Sequence, residues 1–441
     1  MLKYFRKELL YGLIITMPLI NFGFCIVFSS PTVPLFRDEW RAPSIQTTIF
    51  NAILSLAAVV GPFVANGLLK FFNQKVCYFI LQIFACLFFL LMLLANSKKF
   101  YVMIILRALE GVIMGATSTI CPTMLIEVSP KGMTGFLGNL GQLGRCIGTL
   151  VLYLVGNWTV NLKRERRHLQ ALILMCGIFN FISSLLIWFV PNNFRGSDNS
   201  SEETNEEIDN QDNNKDAEEK ESILEKKYLG KLAVGILLMI IQQFSGINAI
   251  STNLDDDFRD AGVPLDSGIC AAITVAFQIL AVFLTSFLVD KVGRKPLFTI
   301  SCVGCGATLF IFSMNYQYKW SNWISLICIC LYMFFFGVAL GPVPWYIIPE
   351  LFPPSLRSIG NSIICIVNQL FAFIVIFLFP IMRGNKDEST GKYVGGIGFM
   401  PSLVIFAVIG LLGGIFGFFF ITEPNAENSV EDKSADTAEK P

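Results

Sequence analysis

One motif of this chain places amide side chains in an apolar surrounding: Gln242-Gln243-Phe244-Ser245-Gly246-Ile247-Asn248. It lies in the uncharged run 232–254, which is long enough to cross a bilayer, since about 20 apolar residues span the hydrocarbon core. An amide both donates and accepts hydrogen bonds, and burying one unpaired costs on the order of a few kcal/mol. At about 100° per residue the three amides can share one broad helix face. The motif therefore predicts a buried site for an uncharged ligand rich in hydroxyl groups; the alternative is hydrogen bonding to neighbouring helices.

Two charged residues lie inside apolar segments, Glu110 and Arg145. Arg145 follows Gln142 by three positions and so shares its helix face. Counting from the ends of their segments, both residues lie roughly 15–18 Å deep, near the midplane. A lone charge there costs about 2.5–3.5 kcal/mol or more. We therefore expect an ion pair between Glu110 and Arg145, with Arg107 as the rival partner of Glu110. The alternative is that Arg145 is free to bind an anionic substrate.

Composition excludes a soluble protein of this length. The chain has 441 residues, of which 54% are hydrophobic and only 15% are charged. Two segments between 100 and 156 are interrupted by charges, and the other uncharged runs are 9–36, 42–69, 76–97, 168–194, 232–254, 267–289, 296–318, 320–349, 358–382 and 393–422. This pattern predicts an all-α membrane protein with twelve transmembrane helices. The net charge of zero indicates no nucleic-acid partner.

Residues that could serve catalysis or metal binding are sparse. The twelve cysteines all fall in apolar runs, where a free thiol packs as a small hydrophobe. Cys302 and Cys305 have the spacing of a metal or redox pair but no accompanying histidine, and the single histidine, His168, lies in a basic loop. No nucleophile–base pair, phosphate-binding loop or metal cluster is evident in the sequence. We therefore expect no enzyme activity, no cofactor and no metal site.

The chain divides into two similar halves. Residues 1–194 and 228–422 each hold six of the predicted helices, and an acidic segment, 195–227, joins them as a disordered or weakly helical cytoplasmic linker. Residues 423–441 form a cytoplasmic tail. Related motifs recur at 127–130 and 350–353, and again at 70–75 and 290–295. Such a repeat predicts a two-bundle transporter with its site between the halves near the midplane. The distribution of Lys and Arg favours termini on the inner side.

These motifs carry a family resemblance. The amide motif, Asp290-Lys-Val-Gly-Arg-Lys295, Gly341-Pro-Val-Pro-Trp345 with 350–352, and Gln142-Leu143 resemble the sugar porters of the major facilitator superfamily, in particular the facilitative glucose transporters. The resemblance spans residues 9–423 and implies the major facilitator fold. It also implies a set of sugar-binding residues: Gln142, Gln242, Gln243, Asn248, Gln278, Trp345 and Asn368.

The resemblance further implies an inner gate of charged residues at cytoplasmic helix ends, namely Asp290, Arg294, Glu350, Arg357 and Glu423 in the second half, with Glu127 in the first. Such charges can pair when the transporter faces outward and separate when it faces inward. The alternative is that they only anchor the helix ends. The chain also departs from the family pattern, because Gly337 stands where a Glu is usual and Thr252 and Asn253 replace a pair of aromatic residues.

The functional expectation is a passive uniporter for a hexose or similar polyol, in the plasma membrane, with the sugar and the lipid bilayer as its partners. A proton symporter is the first alternative. Proton-coupled relatives carry an Asp in the first span where this chain has Cys25, although Glu110 could substitute. The second alternative is a sugar receptor of the same fold that does not transport.

Overall fold

The computed structural model describes residues 2–95, 100–129, 134–160, 165–191, 225–260, 262–345, 347, 352, 354–386 and 393–421. Most of the predicted linker and the whole predicted tail lie outside these ranges, so the proposed domain boundaries stay predictions. The described chain is almost entirely helical.

The first half begins with a long helix broken near its outer end and continues through five further spans. Its elements are α1 (Leu2–Val27), α2 (Ser29–Asp38), α3 (Ser44–Ala58), α4 (Gly61–Leu69), α5 (Gln74–Met92), α6 (Phe100–Val128), α7 (Thr134–Val160), α8 (Glu165–Leu186) and a 3-10 turn (Ile187–Phe189). The pairs α1–α2 and α3–α4 each form one span, because the breaks between them are only one or two residues long.

The second half repeats this plan. Its elements are α9 (Lys226–Phe244), α10 (Ile247–Asp260), α11 (Ser267–Val292), α12 (Arg294–Tyr318), α13 (Asn322–Phe335), a π-helical segment (Phe336–Leu340), α14 (Pro354–Arg383) and α15 (Phe399–Phe420). Two short antiparallel strands, β1 (Asn385–Lys386) and β2 (Tyr393–Val394), pair between α14 and α15.

The described residues form twelve membrane spans, as the sequence predicted. Eleven helical stretches among the described residues are long and apolar enough by the usual criteria. The twelfth is α7, whose 27 residues include Asn139, Gln142 and Arg145. These polar residues keep α7 less hydropathic than its neighbours, which is expected of a helix that faces an internal cavity rather than lipid.

Glycines bring α1 and α7 into backbone contact. A Cβ added at Gly23 of α1 would lie 2.1 Å from the carbonyl oxygen of Arg145, and one added at Gly148 would lie 2.0 Å from the carbonyl oxygen of Ile20. Only hydrogen fits at both positions, and small residues allow such close helix packing within a bilayer. The position of Arg145 relative to α1 is therefore set by backbone contact.

The two halves meet on both sides of the molecule's centre. On the side of the chain's first residues, taken as the inner side, Asn66 Nδ2 donates a hydrogen bond to Ser362 Oγ at 3.1 Å. Nearer the opposite side, the hydroxyl of Tyr153 donates to the carbonyl oxygen of Ser251 at 2.6 Å. The space between these contacts is bounded by spans from both halves.

Candidate functional site

The amide motif lies where the seventh span breaks. Helix α9 ends at Phe244 and α10 begins at Ile247, and Gly246 between them has a φ of +92°. Residues with a Cβ rarely adopt this conformation. The carbonyl oxygen of Ser245, released by the break, accepts a hydrogen bond from the Tyr332 hydroxyl at 3.0 Å. The break thus replaces helical hydrogen bonds by a contact to another span.

The side-chain amide of Gln242 forms hydrogen bonds to other groups of the protein. Its Nε2 donates to the carbonyl oxygens of Leu340 and Gly341, at 2.8 and 2.9 Å, where the π-helical segment leaves carbonyl groups free. Its Oε1 accepts from Asn368 Nδ2 at 2.8 Å. Gln242 and Asn368 therefore form hydrogen bonds with neighbouring helices, which the sequence analysis gave as the alternative to binding a ligand.

Gln243 and Asn248 face the space between the halves. Asn248 Nδ2 donates to Gln243 Oε1 at 2.6 Å, across the break in the helix. Within the described part of the chain, Gln243 Nε2 and Asn248 Oδ1 have no hydrogen-bond partner, so one donor and one acceptor are left for a ligand. Gln243 and Asn248 therefore fit the predicted site for a polar ligand better than Gln242 does.

A cavity with about 850 Å³ of space free of atoms, part of it open to solvent, lies between the halves. Every residue that the resemblance implied for sugar binding lies at its wall: Gln142, Gln242, Gln243, Asn248, Gln278, Trp345 and Asn368. The structure thus brings together residues from five helical spans that are far apart in sequence.

Several further residues at the wall were missed by the sequence analysis, among them Phe22, Asn51 and Gln369. Asn51 Oδ1 and Gln369 Nε2 are buried without a partner among the described residues. Each is an amide in an otherwise apolar run, which was the signal available in the sequence. The aromatic Phe22 gave no such signal, because the chain has 41 phenylalanines.

Arg145 is the one charged side chain among the described residues that line the cavity. Its guanidinium carbon lies 4.8 Å from the ring centroid of Trp345 and 5.2 Å from that of Phe22. Its Nε is buried without a hydrogen-bond partner in the described ranges. The guanidinium therefore lies between two aromatic rings, one from each half.

The predicted ion pair between Glu110 and Arg145 is wrong for this conformation. Glu110 is fully buried, with both carboxylate oxygens lacking a hydrogen-bond partner among the described residues, and its electrostatic partner is Arg107 on the same helix. Arg107 in turn donates from Nη2 to the carbonyl oxygen of Cys25 and lies against the rings of Phe28 and Phe50. The prediction was based on the equal depth of Glu110 and Arg145 in the membrane. Equal depth does not determine whether the two side chains point toward each other.

The inner gate is described only in part. Glu127 Oε1 accepts a hydrogen bond from Gln74 Nε2 at 2.9 Å, within the first half. Arg294 begins α12 and is partly buried. Glu350, Glu423 and the side chains of Asp290 and Arg357 lie outside the described residues, so their gating role stays a prediction.

Comparison with known proteins agrees with this geometry. Residues 21–428 match the family described as "Sugar (and other) transporter". A "Glucose transporter GlcP" of Staphylococcus epidermidis is 29% identical, with 77% of this chain and 78% of that protein covered. The "Sugar transporter ERD6-like 6" of Arabidopsis thaliana is 26% identical, with 87% and 83% covered.

Solved structures show the same fold. The proton:xylose symporter XylE bound to 6-bromo-6-deoxy-D-glucose superposes with a TM-score of 0.79 at 18% identity, covering 94% of this chain and 96% of that one. A partially occluded inward-open conformation of the xylose transporter XylE from E. coli gives a TM-score of 0.76 at 18% identity, with 94% and 100% covered.

The fold and the central cavity define a multi-pass membrane transporter of two bundles. The chain belongs to the sugar transporter family of the major facilitator superfamily. It is a sugar transporter and not an enzyme.

Proposed function

We propose that the protein is a passive uniporter that moves a hexose or a similar polyol by alternating access across the plasma membrane. The observation that carries this proposal is the cavity between the halves, whose wall presents amide groups with free donors and acceptors. Each hydrogen bond to a ligand hydroxyl contributes about 0.5–1.5 kcal/mol. The indole of Trp345 supplies an apolar face for the sugar ring. The similarity to a glucose transporter supports a hexose as the substrate.

The position of Cys25 supports passive transport. Its carbonyl oxygen, rather than a carboxylate, accepts the hydrogen bond of Arg107 in the first-half bundle. A thiol buried in an apolar core carries no charge that a proton gradient could act on. A carrier with no other titrating group coupled to its movement transports the sugar only down its own gradient.

Proton symport is the second candidate, because one observation favours it. Glu110 is fully buried near Arg107, and its carboxylate has no hydrogen-bond partner among the described residues. A buried carboxyl group beside a single cation is a reasonable proton carrier. In a symporter of this kind the residue that carries the proton would be Glu110 on α6, instead of a residue at the position of Cys25 on α1.

The test is radiolabelled sugar uptake into proteoliposomes with and without a proton gradient. A passive uniporter equilibrates sugar to the outside concentration, and a protonophore changes only the ion gradient. Accumulation above the outside level that disappears with the protonophore, and also in Glu110→Gln, would show symport through Glu110. Binding of sugar without any flux would instead identify a receptor.

A further inference from the structure

Arg145 gives the cavity a net positive charge that the proposed neutral substrate does not need. Of the described residues at the wall it is the only one with a charged side chain. The other polar groups there are amides, hydroxyls and a thiol. No carboxylate forms an ion pair with Arg145 within the described ranges, and Glu110, which the sequence offered as its partner, interacts with Arg107. The charge of Arg145 therefore faces the cavity with no counter-ion among the residues that the structure describes.

Two aromatic rings hold this guanidinium in place. The guanidinium carbon lies 4.8 Å from the Trp345 centroid and 5.2 Å from the Phe22 centroid. Ring faces attract a cation through their quadrupole but neutralise none of its charge. They leave the edge of the planar group, where its N–H donors point, available to an acceptor. An arginine stacked in this way is preorganised to bind a carboxylate with two parallel hydrogen bonds.

The second half offers no room for a compensating carboxylate at Gly337. A Cβ there would lie 2.8 Å from the carbonyl oxygen of Gln278 and 2.9 Å from Cβ of Ala281. The π-helical segment that contains Gly337 packs too closely on α11 for any side chain at this position.

From these observations we infer that the carrier prefers a monoanionic sugar acid, such as a hexuronate or an aldonate, to a neutral sugar. This inference rests on the proposed function and specifies its substrate class. One guanidinium balances one carboxylate, whereas a sugar phosphate carries about −1.5 to −2 charges at neutral pH and would leave charge uncompensated. The amides Gln142, Gln243, Asn248 and Gln278 remain for the hydroxyl groups.

Passive transport of a monoanion moves net charge, which adds an electrical signature. Uptake of the anion then depends on membrane potential, by about tenfold at equilibrium for each ~60 mV. Uptake of a neutral sugar by the same carrier changes little. The difference separates anion transport from binding that merely tolerates a carboxylate.

The experiment compares three ligands of nearly the same shape: D-glucuronate, the neutral D-glucuronamide and D-glucose. Binding is measured by the shift in melting temperature of the full-length protein in detergent. Flux is measured in proteoliposomes with a potassium diffusion potential set by valinomycin. The variants are Arg145→Gln, which removes the charge, Arg145→Lys, which keeps it, and Arg41→Gln, which removes an exposed charge on the loop after α2.

The wild type should bind D-glucuronate roughly tenfold more tightly than D-glucuronamide or D-glucose, because hydrogen bonds between charged groups are the stronger ones. Arg145→Gln should lose this preference while still binding D-glucose, which also shows that it folds. Arg145→Lys should keep part of the preference, and Arg41→Gln all of it. D-glucuronate uptake should rise when the vesicle interior is made positive.

Equal binding of D-glucuronate and D-glucuronamide by the wild type would overturn the inference, as would tighter binding of D-glucose 6-phosphate than of D-glucuronate. Loss of D-glucose and D-glucuronate binding together in Arg145→Gln, with an unchanged melting temperature, would also overturn it. The proposed function can fail separately. If D-glucuronate binds preferentially but no sugar crosses the membrane, the inferred preference of the site is correct but the protein is not a carrier. If only D-glucose is transported and D-glucuronate does not compete, the carrier stands and the inference fails.

Discussion

Asn368 Nδ2 donates to Gln242 Oε1 at 2.8 Å, and this bond ties α14 to α9 at the wall of the central cavity. Because Gln242 Nε2 also donates to Leu340 and Gly341, one side chain joins three spans. Its neighbour Gln243 bonds only Asn248 among the described residues and keeps a free donor. Two adjacent glutamines of one motif thus have different surroundings, and we expect different consequences when each is changed.

Gln242→Ala should lower stability, and Gln243→Ala should lower transport. Removing Gln242 takes the partner from two backbone carbonyls and leaves Asn368 Nδ2 only its weaker contact to Met239 Sδ, at a cost of about 1–3 kcal/mol for each group left unsatisfied. Removing Gln243 deletes a ligand contact and frees Asn248, which can bond water in the cavity. Melting temperature in detergent and initial uptake rate, measured on both variants, check the prediction. A stable Gln242→Ala together with an unstable Gln243→Ala would contradict it.

Gly246→Ala should destabilise the second half. Gly246 has a φ of +92°, and a Cβ there would lie 2.6 Å from Cδ2 of Phe406. The left-handed conformation alone costs a residue with a Cβ about 1–2 kcal/mol, and the clash adds to it. Gly230→Ala is the matched control, since nothing lies within 4 Å of its Cβ position and it sits in regular helix. Alanine there should be neutral or slightly stabilising. Similar melting temperatures for the two variants would contradict the conclusion that the break between α9 and α10 requires glycine at position 246.

Asp257 and Arg383 form a buried ion pair at the outer end of the second half. Arg383 Nη1 donates to Asp257 Oδ1 at 2.7 Å, with side-chain exposures of 8% and 1%. Breaking a buried pair by removing one partner costs about 3–5 kcal/mol, because the other charge stays buried. We expect Asp257→Asn and Arg383→Met each to lower the melting temperature strongly. The double variant should be more stable than the sum of the single losses, and strict additivity in this cycle would show that the pair contributes nothing.

Two hydrogen bonds between the halves should bias the carrier in opposite directions. Asn66→Ala removes the inner contact to Ser362, and Tyr153→Phe removes the outer contact to Ser251. Each bond contributes about 0.5–1.5 kcal/mol, so each loss should shift the populations of the two states by roughly two- to tenfold. Asn66→Ala should therefore favour the inward-facing state, and Tyr153→Phe the outward-facing one.

Labelling of Thr252→Cys from outside reports these populations, because Thr252 lines the cavity from α10. The twelve native cysteines are all buried, but Cys146 lines the same cavity, so each background is also labelled without Thr252→Cys to measure the contribution of Cys146. An impermeant thiol reagent should label Thr252→Cys more slowly with Asn66→Ala and faster with Tyr153→Phe. Glu350 and Arg357 of the inner gate, whose role remains a prediction from the sequence, can be tested with the same reporter. Equal labelling rates in all backgrounds would argue against a gating role for these contacts.

The sequence alone determined the class of this protein, because the signals for it are local. The number of spans follows from hydropathy along the chain, and the family follows from short motifs such as 242–248 and 341–345. Gln242, Gln243 and Asn248 could be proposed from their amides in an apolar span, and the family resemblance implied the other predicted wall residues, whereas the wall amides Asn51 and Gln369 were missed. The span of α7 was read from its apolar residues despite Arg145.

Only the tertiary structure decided which polar residues contact one another. Gln242 and Gln243 are adjacent, so helical periodicity cannot say which one turns toward the π-helical segment and which toward the cavity. Glu110 and Arg145 were placed at the same depth by counting residues, but their helices turn them toward different neighbours, Arg107 and Trp345. Depth depends on the rise along one helix, whereas side-chain pairing depends on the rotation of two helices against each other. That rotation is set by long-range packing, such as the contact of Gly23 with the backbone of α7.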